Sequence, residues 1–87
     1  MEYNQCQKDI IYYVVDYYTS SKGKLIPCME VFEKIFNEKY TNLEIEENTR
    51  VLVSEGTLKP HSFHAYIGLT EAFKSNSDYK LFKNKKI

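Results

Sequence analysis

The sequence has no tryptophan, only two cysteines, and no apolar run longer than the six residues from Ile10 to Val15. Each shortage excludes something. Cys6 and Cys28 form no CxxC pair and are too few for a disulfide scaffold, so free thiols in a reducing compartment are the simplest reading. Six residues fall far short of the roughly 20 that a membrane-spanning helix needs. Met1-Glu2-Tyr3 does not open a basic region followed by an apolar stretch, so no secretory signal is expected and a cytoplasmic protein fits. Catalytic signatures are missing as well: there is no GxSxG, no HExxH and no glycine-rich loop that would cradle a phosphate. The expectation is a protein that is not an enzyme, with no cofactor and no evident small-molecule substrate.

What is present is enough for a globule. A chain of 87 residues makes one domain, and 43% hydrophobic and 15% aromatic content argue against disorder. Tyrosine, with eight copies, dominates the aromatics. Its ring wants burial while its hydroxyl wants a partner, which suits half-buried positions and interfaces. The net charge of zero is unevenly spread. Lys80, Lys83, Lys85 and Lys86 give the last nine residues +4 with no acid, while residues 1–78 hold eight basic and twelve acidic side chains, a net of −4. An acidic domain (1–78) with a basic C-terminal tail (79–87) differs from the overall basic footprint of a nucleic-acid binder.

Helical periodicity marks the first segment, roughly Tyr3 to Tyr18, where Tyr3, Gln7, Ile10, Ile11, Val14, Tyr17 and Tyr18 share one face. Cys6, Tyr13 and Val15 widen its apolar arc beyond what one packing surface needs. Either this is a central helix packed on two sides, or it also contributes to a homodimer interface, with Tyr12, Tyr13 and Val15 as the candidates. A polar stop at residues 20–24 includes Gly23. Leu25-Ile26 reads as a short strand of a small sheet, and Pro27 suits the first turn of a second helix over 28–37. There Cys28, Val31, Phe32, Ile35 and Phe36 form the apolar face. Cys28 near a helix start is either a thiol of lowered pKa or a packed core thiol, and its apolar neighbours favour the latter.

Thr41-Asn42-Leu43-Glu44 reads as a capping box that opens a third helix, with Ile45, Thr49, Leu52 and Val53 inward and Gly56 as its stop. Residues 57–59 predict a strand, Pro60-His61-Ser62 a turn, and 63–69 the return strand. Thr70 caps a last helix. The fold class is therefore mainly α with a small antiparallel β-hairpin (α+β).

This order resembles a winged helix. A helix ending in Ser54-Glu55-Gly56-Thr57-Leu58 is similar to the third-helix ending of many such domains. The stretch from Tyr66 through Leu69-Thr70 to Phe73 is similar to the return strand of small bacterial and archaeal winged-helix regulators. Ala72-Phe73 stand where those usually carry a glycine, and Gly68 precedes the Leu-Thr pair instead. A three-helix bundle with an unrelated hairpin is the competing architecture.

The resemblance implies a DNA-binding regulatory protein whose third helix enters the major groove of double-stranded DNA, with Arg50, Ser54, Lys59 and His61 as contacts. The residues themselves pull the other way. Residues 42–56 sum to −3, a poor match for a duplex carrying one negative charge per about 1.7 Å. The second expectation is accordingly a protein–protein interaction module whose acidic third helix binds a basic protein surface. His61 and His64 lack the paired cysteines or histidines of a zinc site and read as polar turn residues, so no metal is expected. The lysine-rich tail either frays in solvent, serves as a nucleic-acid arm or, through Tyr79, Leu81, Phe82 and Ile87, docks on its own domain or a partner.

Overall fold

The computed structural model describes residues 2–24, 27–61 and 66–84, with His61 described by its backbone only. Within these residues the chain forms α1 (Gln5–Ser20), α2 (Met29–Ile35), α3 (Asn42–Ser54), β1 (Leu58–His61), β2 (Tyr66–Leu69), α4 (Glu71–Lys74) and α5 (Ser77–Asn84). It is mainly helical with one small antiparallel sheet, the α+β class expected from the sequence.

Helix α1 is the axle. Asn4 caps it reciprocally: its side chain accepts from the Gln7 N–H (2.8 Å), and the Gln7 side chain accepts from the Asn4 N–H (3.0 Å). Ile10, Ile11, Val14 and Val15 are buried essentially completely, joined by Cys6 and Gln7. The side-chain amide of Asn4 also donates to Asn48 on α3 (2.9 Å). Tyr17, placed on the inward face by periodicity, is instead 37% exposed. At the far end Lys22 and Gly23 both take positive φ. The N–H groups of Lys22 and Gly23 bond back to Thr19 and Tyr18, so a lysine rather than the glycine occupies the first left-handed position.

Pro27 lies just before α2, not in its first turn, and its carbonyl accepts from the Ile67 N–H of β2 (3.1 Å). The strand expected at Leu25-Ile26 lies outside the described residues, but Cys28 makes a bridge to Tyr66 right after it. Helix α2 is only seven residues long. It turns Met29 and Phe32 into the core, with Phe36 stacked on Phe32 at 4.5 Å. Val31 (47% exposed) and Ile35 (59%) face outward, contrary to the sequence expectation. A helix of two turns can bury only one of two adjacent apolar stripes, and the aromatic stripe, with more area to remove from water, takes the inside.

The loop after α2 is tied to α1 through Asp9. One carboxylate oxygen accepts from Lys39 Nζ (3.0 Å) and the Tyr40 hydroxyl (2.6 Å), the other from Gln5 Nε2 (2.9 Å). Burial pushes the Asp9 pKa up, but the hydrogen bonds from Tyr40, Lys39 and Gln5 outweigh it and the net displacement is downward. Burial together with the hydrogen bond to Asp9 pushes the Tyr40 phenol up to about 12.

Helix α3 begins with the expected capping box, Thr41 and Glu44 exchanging bonds of 3.1 Å in each direction. It buries Ile45 and Leu52 and ends in a tight motif: the Gly56 N–H reaches Val53 and the Thr57 N–H reaches Leu52. Gly56 sits at φ +83° with open space around its Cα. The hairpin follows, pairing Leu58 with Leu69 and Pro60 with Ile67. Pro60 and His61 thus belong to β1 and not to the turn; Ser62 and the start of the expected return strand, with His64, lie outside the described residues. Because the Ile67 N–H points to Pro27, the Pro60–Ile67 pair exchanges no ladder bonds, and the ring nitrogen of Pro60 faces the outer edge, where a strand tolerates proline.

Thr70 caps α4 through the Phe73 N–H (3.0 Å) and also donates to the Gly56 carbonyl. The single final helix expected from sequence is two, α4 and α5. The boundary placed between residues 78 and 79 falls inside α5. Residues 79–84 are therefore no loose tail: Phe82 is buried against Tyr12 (4.6 Å), Tyr3 (5.8 Å) and Phe73 (6.2 Å). Lys85, Lys86 and Ile87 lie outside the described residues.

Two outcomes are expected. Gly56→Ala lowers stability by about 1 kcal/mol in urea unfolding, because a Cβ is strained in the left-handed region, while Gly56→Asn loses less. Asp9 has a lowered folded pKa, so its contribution is complete above the unfolded carboxyl value and fades as pH falls through the folded one. Asp9→Asn should therefore cost about 1–2 kcal/mol at neutral pH, a gap that closes below about pH 4 when urea midpoints of the two proteins are compared.

Candidate functional site

Burial of Ile45 and Leu52, seven residues apart, turns the opposite side of α3 to solvent. That side presents Leu43, Glu47, Arg50 and Ser54, flanked by Glu46 on one edge and by Glu44 and Val51 on the other, all exposed. Two of these are aliphatic and conspicuously uncovered: Leu43 is 63% exposed and Val51 40%. Leu43 on this face was legible from periodicity. Val51 was not singled out, although its position two turns and one residue beyond Leu43 was the available signal.

Of the residues named as nucleic-acid contacts, Arg50 and Ser54 stand one turn apart on this face. Arg50, the only arginine in the chain, follows Glu46 by four residues and Glu47 by three, spacings that put both carboxylates beside its guanidinium. The Ser54 hydroxyl bonds back to the Val51 carbonyl (3.1 Å). Lys59 stands on β1, beyond the Gly56 turn, within electrostatic reach of Glu71. The Glu71 carboxyl is held below its usual range by the Lys74 hydrogen bond (2.8 Å) and charge, and further by Lys59. Lys74 also rests over the Tyr18 ring at 5.0 Å. His61 pairs with Tyr66 through the backbone, and its side chain lies outside the described residues. The cations near α3 and the hairpin thus come with carboxylates beside them.

The residues named as dimer contacts are turned toward the chain's own elements. Val15 is 2% exposed, Tyr13 packs on Phe32 with ring centroids 5.3 Å apart, and Tyr12 meets Phe82. Tyr13 is thus covered by α2 and Tyr12 by α5.

Burial, with Glu44 and Asp9 adding, pushes the Cys6 thiol up, which disfavours the nucleophilic thiolate. Among the described residues no group of three or more histidines, cysteines or acids is placed to hold a metal ion, and no helix is long and apolar enough to cross a membrane. A groove of ≈ 850 Å³ runs between the start of the chain and α5 over Tyr3, Tyr12 and Phe82. Its rim balances Lys8 and Lys80 against Glu2 and Asp78, so it offers no field of one sign to a charged substrate. Compared with known proteins, the chain matches no family model, no curated sequence and no solved structure.

Proposed function

We propose that the chain is a small, non-enzymatic, winged-helix-like regulatory domain that works by docking a basic protein segment on the outward face of α3. The observation that carries this reading is the composition of that face: exposed Leu43 and Val51 set among Glu44, Glu46 and Glu47, against the single cation Arg50. Uncovered aliphatic side chains ringed by one sign of charge suit an amphipathic partner of the opposite sign, the apolar contacts supplying affinity and the charges steering and register. A phosphate backbone offers α3 neither. It has no apolar surface for Leu43, and it would meet three carboxylates for each guanidinium.

The second reading is double-stranded DNA, favoured by the order of elements, a capped third helix followed directly by a hairpin. Its contacts would be Arg50, Ser54, Lys59 and His61. The two readings predict opposite responses to charge.

An amphipathic peptide of alternating lysine and leucine pairs and a duplex oligonucleotide, each titrated into the purified protein, separate them by fluorescence anisotropy. Under the docking reading the peptide binds, and Glu46→Lys/Glu47→Lys weakens it about tenfold at low salt. Leu43→Ala weakens it at any salt. Under the DNA reading the duplex binds at low salt, loses affinity steeply as salt rises and is lost on Arg50→Glu. Duplex binding without peptide binding would overturn the docking proposal.

A further inference from the structure

The last helix is held differently from the rest of the fold. The largest fully buried side chains, Phe32, Ile10, Ile11, Ile45, Leu52 and Leu58, come from α1, α2, α3 and β1. On α5 the buried side chain is Phe82, still 9% exposed, with Tyr79 half-buried one turn before it. Leu81, the one aliphatic residue of this helix, is turned out and 68% exposed. Helix α4, just before it, has firmer ties. Phe73 is 4% exposed, the Thr70 hydroxyl donates to the Gly56 carbonyl, and Lys74 Nζ donates to the Tyr18 hydroxyl (3.4 Å). Between the two helices stand Ser75 and Asn76, both exposed. Their bonds are local: Ser75 N–H to the Glu71 carbonyl, Asn76 N–H to the Phe73 carbonyl, and the Asn76 side chain accepting from the Asp78 N–H.

We propose that α5 is a strap that opens about Ser75 and Asn76 while the rest of the fold stays closed, uncovering the aromatic surface beneath it. An eight-residue helix does not persist in water by itself, so its contacts keep it formed. Phe82 meets Tyr12 (4.6 Å), Tyr3 (5.8 Å) and Phe73 (6.2 Å), and Tyr79 meets Phe73 (5.9 Å). Lifting Phe82 removes the anchor of the helix and leaves α4 fastened to the end of α3. Segments with few buried contacts and an exposed hinge open well below the free energy of global unfolding. The surface uncovered is continuous, because Tyr3, Tyr12 and Phe73 all touch the one ring that leaves. The ≈ 850 Å³ groove over Tyr3, Tyr12 and Phe82 already runs beside it and loses its α5 wall on opening. The strap is thus an autoinhibitory contact, with the aromatic floor closed at rest and reached when Phe82 is released. The outward face of α3 takes no part.

Amide hydrogen exchange of the full chain, followed by NMR at several urea concentrations below the unfolding transition, tests the strap. Corrected for intrinsic rates, the amides of residues 81–84 should exchange at least about a hundredfold faster than those of residues 10–15. Their rates should depend little on urea, since a small opening exposes little surface. Phe82→Ala should speed the α5 amides about tenfold or more. Ile45→Val should speed the α1 amides about threefold or more and leave the α5 amides unchanged, because Ile45 stays buried when the strap opens. Nitration by tetranitromethane, mapped by peptide mass, should rise on Phe82→Ala at Tyr12 and not at Tyr13, whose ring rests on Phe32. Amides of α5 that share the rate and urea dependence of α1, or that respond to Ile45→Val as α1 does, overturn the proposal. Amides of α5 indifferent to Phe82→Ala overturn Phe82 as the anchor, and unchanged nitration of Tyr12 overturns the uncovering of the aromatic surface.

Discussion

The structure depends on one constraint: α1, the longest helix, must be covered on nearly every side. Ile10, Ile11, Val14 and Val15 lie too far round the helix for one neighbour to bury them all, and each is worth about 1.5–3 kcal/mol when removed from water. Helix α3 and strand β2 cover one flank, α2 another, and α5 returns to cover the side that Tyr12 faces. The C-terminal residues are therefore structural. Without Phe82, the rings of Tyr3 and Tyr12 would lose the neighbour that closes this side. The Asp9 node serves the same end by polar means, holding the loop after α2 against the axle through Lys39 and Tyr40.

Local rules were legible in the sequence because they are decided locally. The Thr41–Glu44 box, the Gly56 stop and the Thr70 cap each involve residues within about four positions of one another, and each appears where the sequence places it. The misplacements share a different cause. Tyr12 and Tyr13 looked like contacts for a second copy because periodicity cannot see Phe82 of α5 and Phe32 of α2 packing on them from elsewhere in the chain. Val31 and Ile35 looked buried because composition marks them apolar without saying which of two stripes the core will choose. Pro60 looked like a turn residue, and only the pairing of Ile67 with Pro27 explains why a strand accepts it.

The candidate site was half legible for the same reason. The outward residues of α3 follow from helix geometry once Ile45 and Leu52 are inward, and their negative charge is plain in the sequence. What required the structure was the setting of the cations. Lys74 is held by Glu71 and the Tyr18 ring, Lys39 by Asp9, and Lys59 lies near Glu71. A count of charges treats all of these as equally available for phosphate, whereas the fold spends several of them on its own carboxylates.

The hairpin limits how any macromolecule can be held. Strand addition needs a row of N–H and C=O groups on an unoccupied edge. On the outer edge of β2, Ile67 already donates to Pro27. On the outer edge of β1, Pro60 offers no N–H where the ladder would need one. With both edges blunted at the same level of the sheet, backbone pairing is a poor route to a partner, and recognition falls to side chains. The side chains most open to that role lie on the helices, as Leu43 and Val51 among the glutamates of α3 and as Val31 and Ile35 on α2. The first of these has charge of predominantly one sign, which is why the docking proposed on it takes a partner of the opposite sign.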